Sequence, residues 1–155
     1  AAQLGIERNA AQQFIDKYFA RYPGVAEYMQ QTRESARAKG YVETVFGRRL
    51  TLTDINGGNG PRRAGAERAA INAPMQGTAA DLIKLAMIAV DDWLHRDKLA
   101  TKLIMQVHDE LVLEVPQAEL DLVKRVLPEK MTGVASLRVP LVAEVGVGPN
   151  WDEAH

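Results

Sequence analysis

The chain has 155 residues, 46% of them hydrophobic, with 19 Lys and Arg against 20 Asp and Glu for a formal net charge of −1. That size and apolar content suit one domain or a large part of one, while the absence of any long uninterrupted apolar run and of a basic-then-apolar leader predicts a cytoplasmic protein with no membrane partner. No cysteine is present, which excludes disulfides and thiolate metal sites and leaves oxygen or imidazole to hold any metal.

Ala11, Phe14, Ile15, Tyr18 and Tyr22 recur at helical spacing, and Pro23 stops the pattern, which predicts a first amphipathic helix. Val25, Tyr28, Met29, Thr32 and Ala36 continue in a second helix after a corner at Pro23-Gly24. Lys39-Gly40 would close it with a cation in the last turn and a glycine suited to the left-handed conformation. Residues 41–45 and 49–53 are β-branched or aromatic runs around Phe46-Gly47-Arg48 and predict a short hairpin with a basic rim. Residues 54–61 have little to bury and read as a mobile surface loop.

From 62 to 96 the pattern is one long helix, with Ala79, Leu82, Ile83, Ala86, Met87, Val90 and Trp93 or Leu94 as its core-facing stripe. Pro74 lies inside it, so a kink or break is expected over 73–77. Strand-like runs at 99–107 and 111–116 flank His108-Asp109-Glu110, a tight β-hairpin with a polar tip. A helix over 118–131 and a final strand over 137–147 complete the chain. There are no repeats, and the chain opens inside helical sequence without an initiating methionine, as a fragment would.

Three features bear on chemistry. The near-neutral net charge conceals a split: residues 33–68 carry eight basic groups against four acidic, and residues 107–155 carry nine acidic against four basic. A positive stretch facing phosphate and an acidic end able to hold cations suit phosphoryl transfer, although ordinary solvated charge gives the same count. Second, the turn Gln106-Val107-His108-Asp109-Glu110 sets two carboxylates and an imidazole on rigid strands. Asp109 could bind Mg²⁺, but a two-metal site needs a further carboxylate from elsewhere in the fold, and a plain polar turn also favours Asp. Third, Arg68, Asn72 and Gln76 lie four residues apart, drifting only about 40° per step around a continuous helix. Such a row of donors matches the acceptors of the minor groove, which report pair geometry more than sequence; a solvated face with Arg68 paired to Glu67 is the plainer reading. His95 fits a helix-end or solvated role.

Gly40-Tyr41-Val42-Glu43-Thr44, Gly47-Arg48-Arg49, the string from Glu67-Arg68-Ala69-Ala70-Ile71-Asn72 through Ala73-Pro74-Met75-Gln76-Gly77-Thr78-Ala79-Ala80-Asp81, Gln106-Val107-His108-Asp109-Glu110 and the closing Gly-Pro-Asn-Trp at 148–151 together resemble the C-terminal region of family A DNA polymerases, the DNA polymerase I type. The resemblance covers essentially the whole chain, and the Glu67 to Asp81 string is its most specific part. It implies an α+β fold, a partial polymerase palm whose antiparallel sheet carries the motif C hairpin, packed with long helices of palm and fingers. The implied layout is one fragment over 1–155: fingers-side helices at 1–40, hairpin and loop at 41–61, a long kinked helix at 62–96, the motif C hairpin at 99–116, and a helix with the final strand at 117–155.

The resemblance further implies template-directed DNA synthesis by a monomeric enzyme with Mg²⁺, primer-template DNA and deoxynucleoside triphosphates as partners. Asp109 is similar to the metal-binding aspartate of motif C, Glu110 to its accessory neighbour and second metal-side carboxylate, and His108 to the residue beside the primer terminus. Arg68, Asn72, Gln76 and Gln106 are similar to DNA-contacting positions. His155 stays open. The family's motif A string, Asp-Tyr-Ser-x-Ile-Glu, and its nucleotide-binding helix do not occur in this sequence, so the resemblance places them before Ala1 and implies that the fragment alone is inactive. A non-catalytic nucleic-acid-binding module and a metal-dependent hydrolase built on His108, Asp109 and Glu110 are the other readings open at this point.

Overall fold

Proline cannot continue a helix but is well suited to start one, since its missing N–H is not needed in the first turn. In the computed structural model, which describes residues 7–154, helix α1 (Arg8–Arg21) accordingly ends before Pro23, and α2 (Pro23–Lys39) begins on it. Gly40 ends α2 at φ 78, returning its N–H to the Ala36 carbonyl at 2.8 Å. The chain forms two compact units, residues 1–76 and 77–155, and the division falls inside one helix, α3 (Gly60–Arg96).

In the first unit, β1 (Tyr41–Glu43) pairs antiparallel with β2 (Arg49–Thr51), Val42 opposite Leu50. These strands are two residues shorter than their apolar runs because the Thr44 hydroxyl accepts the N–H groups of Phe46 and Arg48 and curls 44–48 into a turn, with Gly47 at φ 83. Arg49 reaches across the pair to Glu43 at 2.8 Å and lies 4.5 Å over the Tyr41 ring. The core consists of Ala36, Val42, Leu52, Ile55 and Ala70, flanked by Ala66, Ala69 and Ala73. The two helices contribute only alanines to that core, and the larger side chains, Val42, Leu52 and Ile55, come from β1 and from the segment after β2. The Tyr28 hydroxyl donates to the Ile71 carbonyl at 3.1 Å, three residues before Pro74, and Arg37 pairs with Glu67 at 2.6 Å.

Three expectations for this unit change. The loop after β2 does bury a residue: Ile55 is only 2% exposed, and the Asn56 amide donates to the Arg37 carbonyl. The helix starts at Gly60 rather than 62, because Asn59 caps it by accepting the Arg62 N–H at 3.1 Å. Moreover, α3 runs through Pro74 without a break; a proline removes a single backbone donor, and the surrounding turns hold the helix.

The second unit is built on the later turns of α3. Val90, Trp93 and Leu94 pack with Val123 and Leu127 of α4 (Leu120–Thr132), and Leu103, Leu111 and Leu113 close over them. The stripe begins later than its pattern implied, since Ala79 is exposed. At its end α3 forms a Schellman-type stop: Leu99 N–H bonds the Leu94 carbonyl, Lys98 N–H the His95 carbonyl, and Lys98 takes the left-handed position at φ 52. Leu94 and Leu99 both enter the core, as that motif favours. His95 is exposed beside Asp91, in keeping with a helix-end role.

Strands β3 (Lys102–Val107) and β4 (Glu110–Glu114) form an antiparallel pair with an irregularity between Leu103 and Met105. A 3₁₀ turn, Gln117–Glu119, leads into α4. The strand expected over 137–147 does not form: among the described residues the sheets are β1–β2 and β3–β4 alone, and this segment pairs with neither. Extended backbone becomes a strand only where a partner takes its N–H and C=O groups. Val145 reaches the core, while Val142 is 78% exposed. Leu127→Ala should lower the stability of this unit by about 2–5 kcal/mol, read as a shift in the urea midpoint at unchanged slope.

Candidate functional site

The pairing of Val107 with Glu110 leaves His108 and Asp109 as a two-residue connection between β3 and β4. Two-residue hairpins match the strand twist only when a central residue takes positive φ, a place usually given to glycine or asparagine. Here His108 takes it, at φ 51. A side chain held there costs on the order of 1–3 kcal/mol, a cost that gathers at functional sites. The Gln106 side-chain amide donates to the His108 carbonyl and stitches the turn closed. His108 and Asp109 are exposed, whereas Glu110, the first residue of β4, is half-buried.

The base of the hairpin is anchored as well. Glu119 accepts the backbone N–H groups of Ala100 at 2.8 Å and Thr101 at 2.9 Å, together with the Thr101 hydroxyl. The Thr101 hydroxyl and the Ala100 N–H hold the Glu119 carboxyl below the usual glutamate range, against the opposing effect of burial. Sequence reasoning missed this residue, and no local pattern marks it, because its partners lie 18 and 19 residues away.

In the first unit Arg68, Asn72 and Gln76 are all exposed along the unbroken helix, on the side away from Ala70. Glu67, the carboxylate that would have neutralised Arg68, is taken by Arg37, whose hydrogen bond lowers its pKa. Among the described residues none of the three donors has a hydrogen-bond or ion-pair partner. Gln106 differs, being engaged with His108. His155 lies outside the described residues.

Among the described residues no three His, Asp or Glu side chains converge to hold a metal ion, and no helix is long and apolar enough to cross a membrane. A hydrolase centred on His108, Asp109 and Glu110 would need such further ligands. The donors at the turn are carboxylate oxygens on a rigid, exposed support, which fits Mg²⁺ as a partial ligand set, since that ion commonly takes only one or two protein carboxylates.

The sequence profile of DNA polymerase family A matches residues 1–153. The chain belongs to that family. It is 58% identical over 155 residues to DNA polymerase I of Pseudomonas aeruginosa, covering 100% of this chain and 17% of that protein. It is 51% identical over 154 residues to DNA polymerase I of Chloroflexus aurantiacus, covering 99% of this chain and 16% of that one. The family A chain thus spans about a sixth of the length of these curated relatives. Its fold is similar to a solved POL domain of Pol1 from M. smegmatis in complex with DNA primer-template and dNTP, with a TM-score of 0.95 and 42% identity over 99% of this chain and 27% of that one. The resemblance carried by the Glu67 to Asp81 string and by the 106–110 turn therefore holds, and the chain is the mixed α and antiparallel β fold it implied.

Because the folded-state pKa of Glu119 is depressed, its contribution to stability is fully present above the unfolded-state value and fades as pH falls through the lowered one. Glu119→Gln should therefore be less stable than the parent at pH 7, and the difference should shrink on acidification below the ordinary glutamate range. Urea titrations of both proteins from pH 7 to pH 3 measure it.

Proposed function

We propose that this chain is part of a template-directed DNA polymerase, in which it aligns the primer-template duplex and supplies the carboxylates of one side of a Mg²⁺ site. In the reaction the primer 3′-hydroxyl attacks the α-phosphate of a deoxynucleoside triphosphate, the α–β phosphoanhydride bond breaks, and pyrophosphate leaves. The observation that carries this reading is the row Arg68, Asn72 and Gln76, exposed and without internal partners on a continuous helix while Glu67 is occupied by Arg37. Three donors at about 6 Å intervals along a helix suit the acceptors displayed along a minor groove.

At the other end of the chemistry, Asp109 and Glu110 would hold Mg²⁺ through oxygen, with Asp109 on the exposed tip as the principal ligand. Bound there, the ion would neutralise phosphate charge and make the attacking hydroxyl more acidic. The protein's own contribution is positional: the hairpin register sets where the Asp109 backbone sits, the Gln106 amide fixes the turn, and His108 presents its imidazole beside Asp109, where the primer terminus would lie. We assign Gln106 to the DNA-facing side of this turn. On this reading residues 1–40 are fingers-side helices and the β3–β4 hairpin belongs to the palm. The enzyme acts as a monomer in the cytoplasm, on nucleoid DNA.

Three tests follow from the assigned roles. The 155-residue chain by itself should not extend a primer, since no further carboxylate joins Asp109 and Glu110 among the described residues; extension that is lost in Asp109→Ala would overturn this. In a full-length chimera, with this chain replacing the matching residues of the Pseudomonas aeruginosa relative, Asp109→Ala should cut extension on the order of 10³-fold while sparing DNA affinity. In the same chimera Arg68→Ala should cost about 1–3 kcal/mol in primer-terminus use and reduce fidelity. Unchanged extension and fidelity would remove Arg68 from its role.

A further inference from the structure

The Gly-Pro-Asn-Trp run at 148–151 has no part in the chemistry described so far, yet it ends on a side chain that reaches the catalytic turn. The Trp151 indole N–H donates to Glu110 Oε2 at 3.4 Å, across 41 residues of chain. Glu110 opens β4 opposite Val107, so the sheet fixes its backbone while side-chain contacts orient its carboxylate. An indole N–H is a donor only, so it selects a carboxylate orientation without offering an alternative partner.

Trp151 is itself held by a closed local structure. Asn150 Oδ1 accepts the Glu153 N–H at 3.0 Å, and its Nδ2 donates to Glu153 Oε1 at 2.7 Å. Ala154 N–H returns to the Trp151 carbonyl at 3.2 Å, closing the 3₁₀ turn Asp152–Ala154. Gly146 and Gly148 pass so near this turn that a Cβ at 146 would collide with the Ala154 carbonyl oxygen, and one at 148 would stand 2.6 Å from the Glu153 carbonyl carbon. Both glycines are therefore a steric requirement of the approach. Trp151 is 42% exposed, far more than a residue serving only to fill a core.

We infer that Trp151 is a positioning residue for the proposed metal site: the C-terminal turn presents its indole N–H to orient the Glu110 carboxylate beside Asp109. This rests on the polymerase reading given above. Hydrogen-bond partners of ligating carboxylates tune metal affinity even though they never touch the ion, and their loss typically costs roughly 10–100-fold in affinity or activity.

The test uses the full-length chimera bound to primer-template, with Mn²⁺ affinity read by electron paramagnetic resonance, alongside primer extension, DNA affinity and melting temperature. Trp151→Phe keeps an aromatic ring but removes the donor; Trp151→His restores an N–H. The expected result is a roughly ten-fold loss of Mn²⁺ affinity in Trp151→Phe, with DNA affinity and melting temperature as in the parent, and substantial recovery in Trp151→His. Parental Mn²⁺ affinity in Trp151→Phe overturns the inference, as does a loss that Trp151→His does not repair, or one that comes only with a lowered melting temperature. Asp109→Ala, measured in parallel, reports on the polymerase reading itself: if it extends primers like the parent, that reading fails whatever Trp151 does.

Discussion

Both hydrophobic cores are built on α3, the one with Ala70 and the other with Val90, Trp93 and Leu94. A helix satisfies its own backbone, so along its 37 residues the only freedom left is which side chain stands at each step. Packing claims the apolar positions on one side. What remains on the other side is a set of exposed positions at fixed intervals, and Arg68, Asn72 and Gln76 occupy them. The donor row is therefore a by-product of core packing: moving it would require moving the alanines that α3 buries.

The turn at His108 and Asp109 is governed differently, by sheet register. A slip of one residue would exchange the faces of β3 and β4 and carry Leu103, Leu111 and Leu113 out of the core. The core thus dictates that the connection between Val107 and Glu110 has two residues, and the short connection dictates the positive φ of His108. A polar tripeptide that any turn could contain becomes distinctive through what surrounds it. Gln106 closes the turn, Glu119 ties down the hairpin base, and Trp151 meets Glu110 from the far end of the chain.

Much of this was legible in the sequence, within limits that follow from the range of each signal. Periodicity located α1, α2, α3, α4 and both hairpins, since it reports burial along a single element. It failed where burial depended on a partner: the apolar alternation over 137–147 looked like a strand but finds none to pair with, Ala79 fitted the stripe but faces solvent, and Ile55 sat in polar surroundings yet is buried. Long-range polar pairs left no trace at all. Arg37 with Glu67 is the telling case, because the local alternative, Glu67 with Arg68, was the natural assumption, and its absence is what leaves Arg68 available. The resemblance singled out the row and the turn, but the contacts that support them join residues far apart in the chain and leave no local pattern.

The alanine-lined core of the first unit has a consequence for how this part of the molecule can vary. Where Leu or Phe fills a core, neighbours can trade volume and sequences drift by compensating swaps. Ala36 and Ala70 are fully buried, so an added methylene at either must displace a packed neighbour. Substitution on that face is therefore narrowly bounded, while the exposed face of the same helix is free to be set by what it contacts. Two adjacent strips of one helix are thus under unlike constraints, one steric and one chemical, and identity along α3 should alternate between them for different reasons.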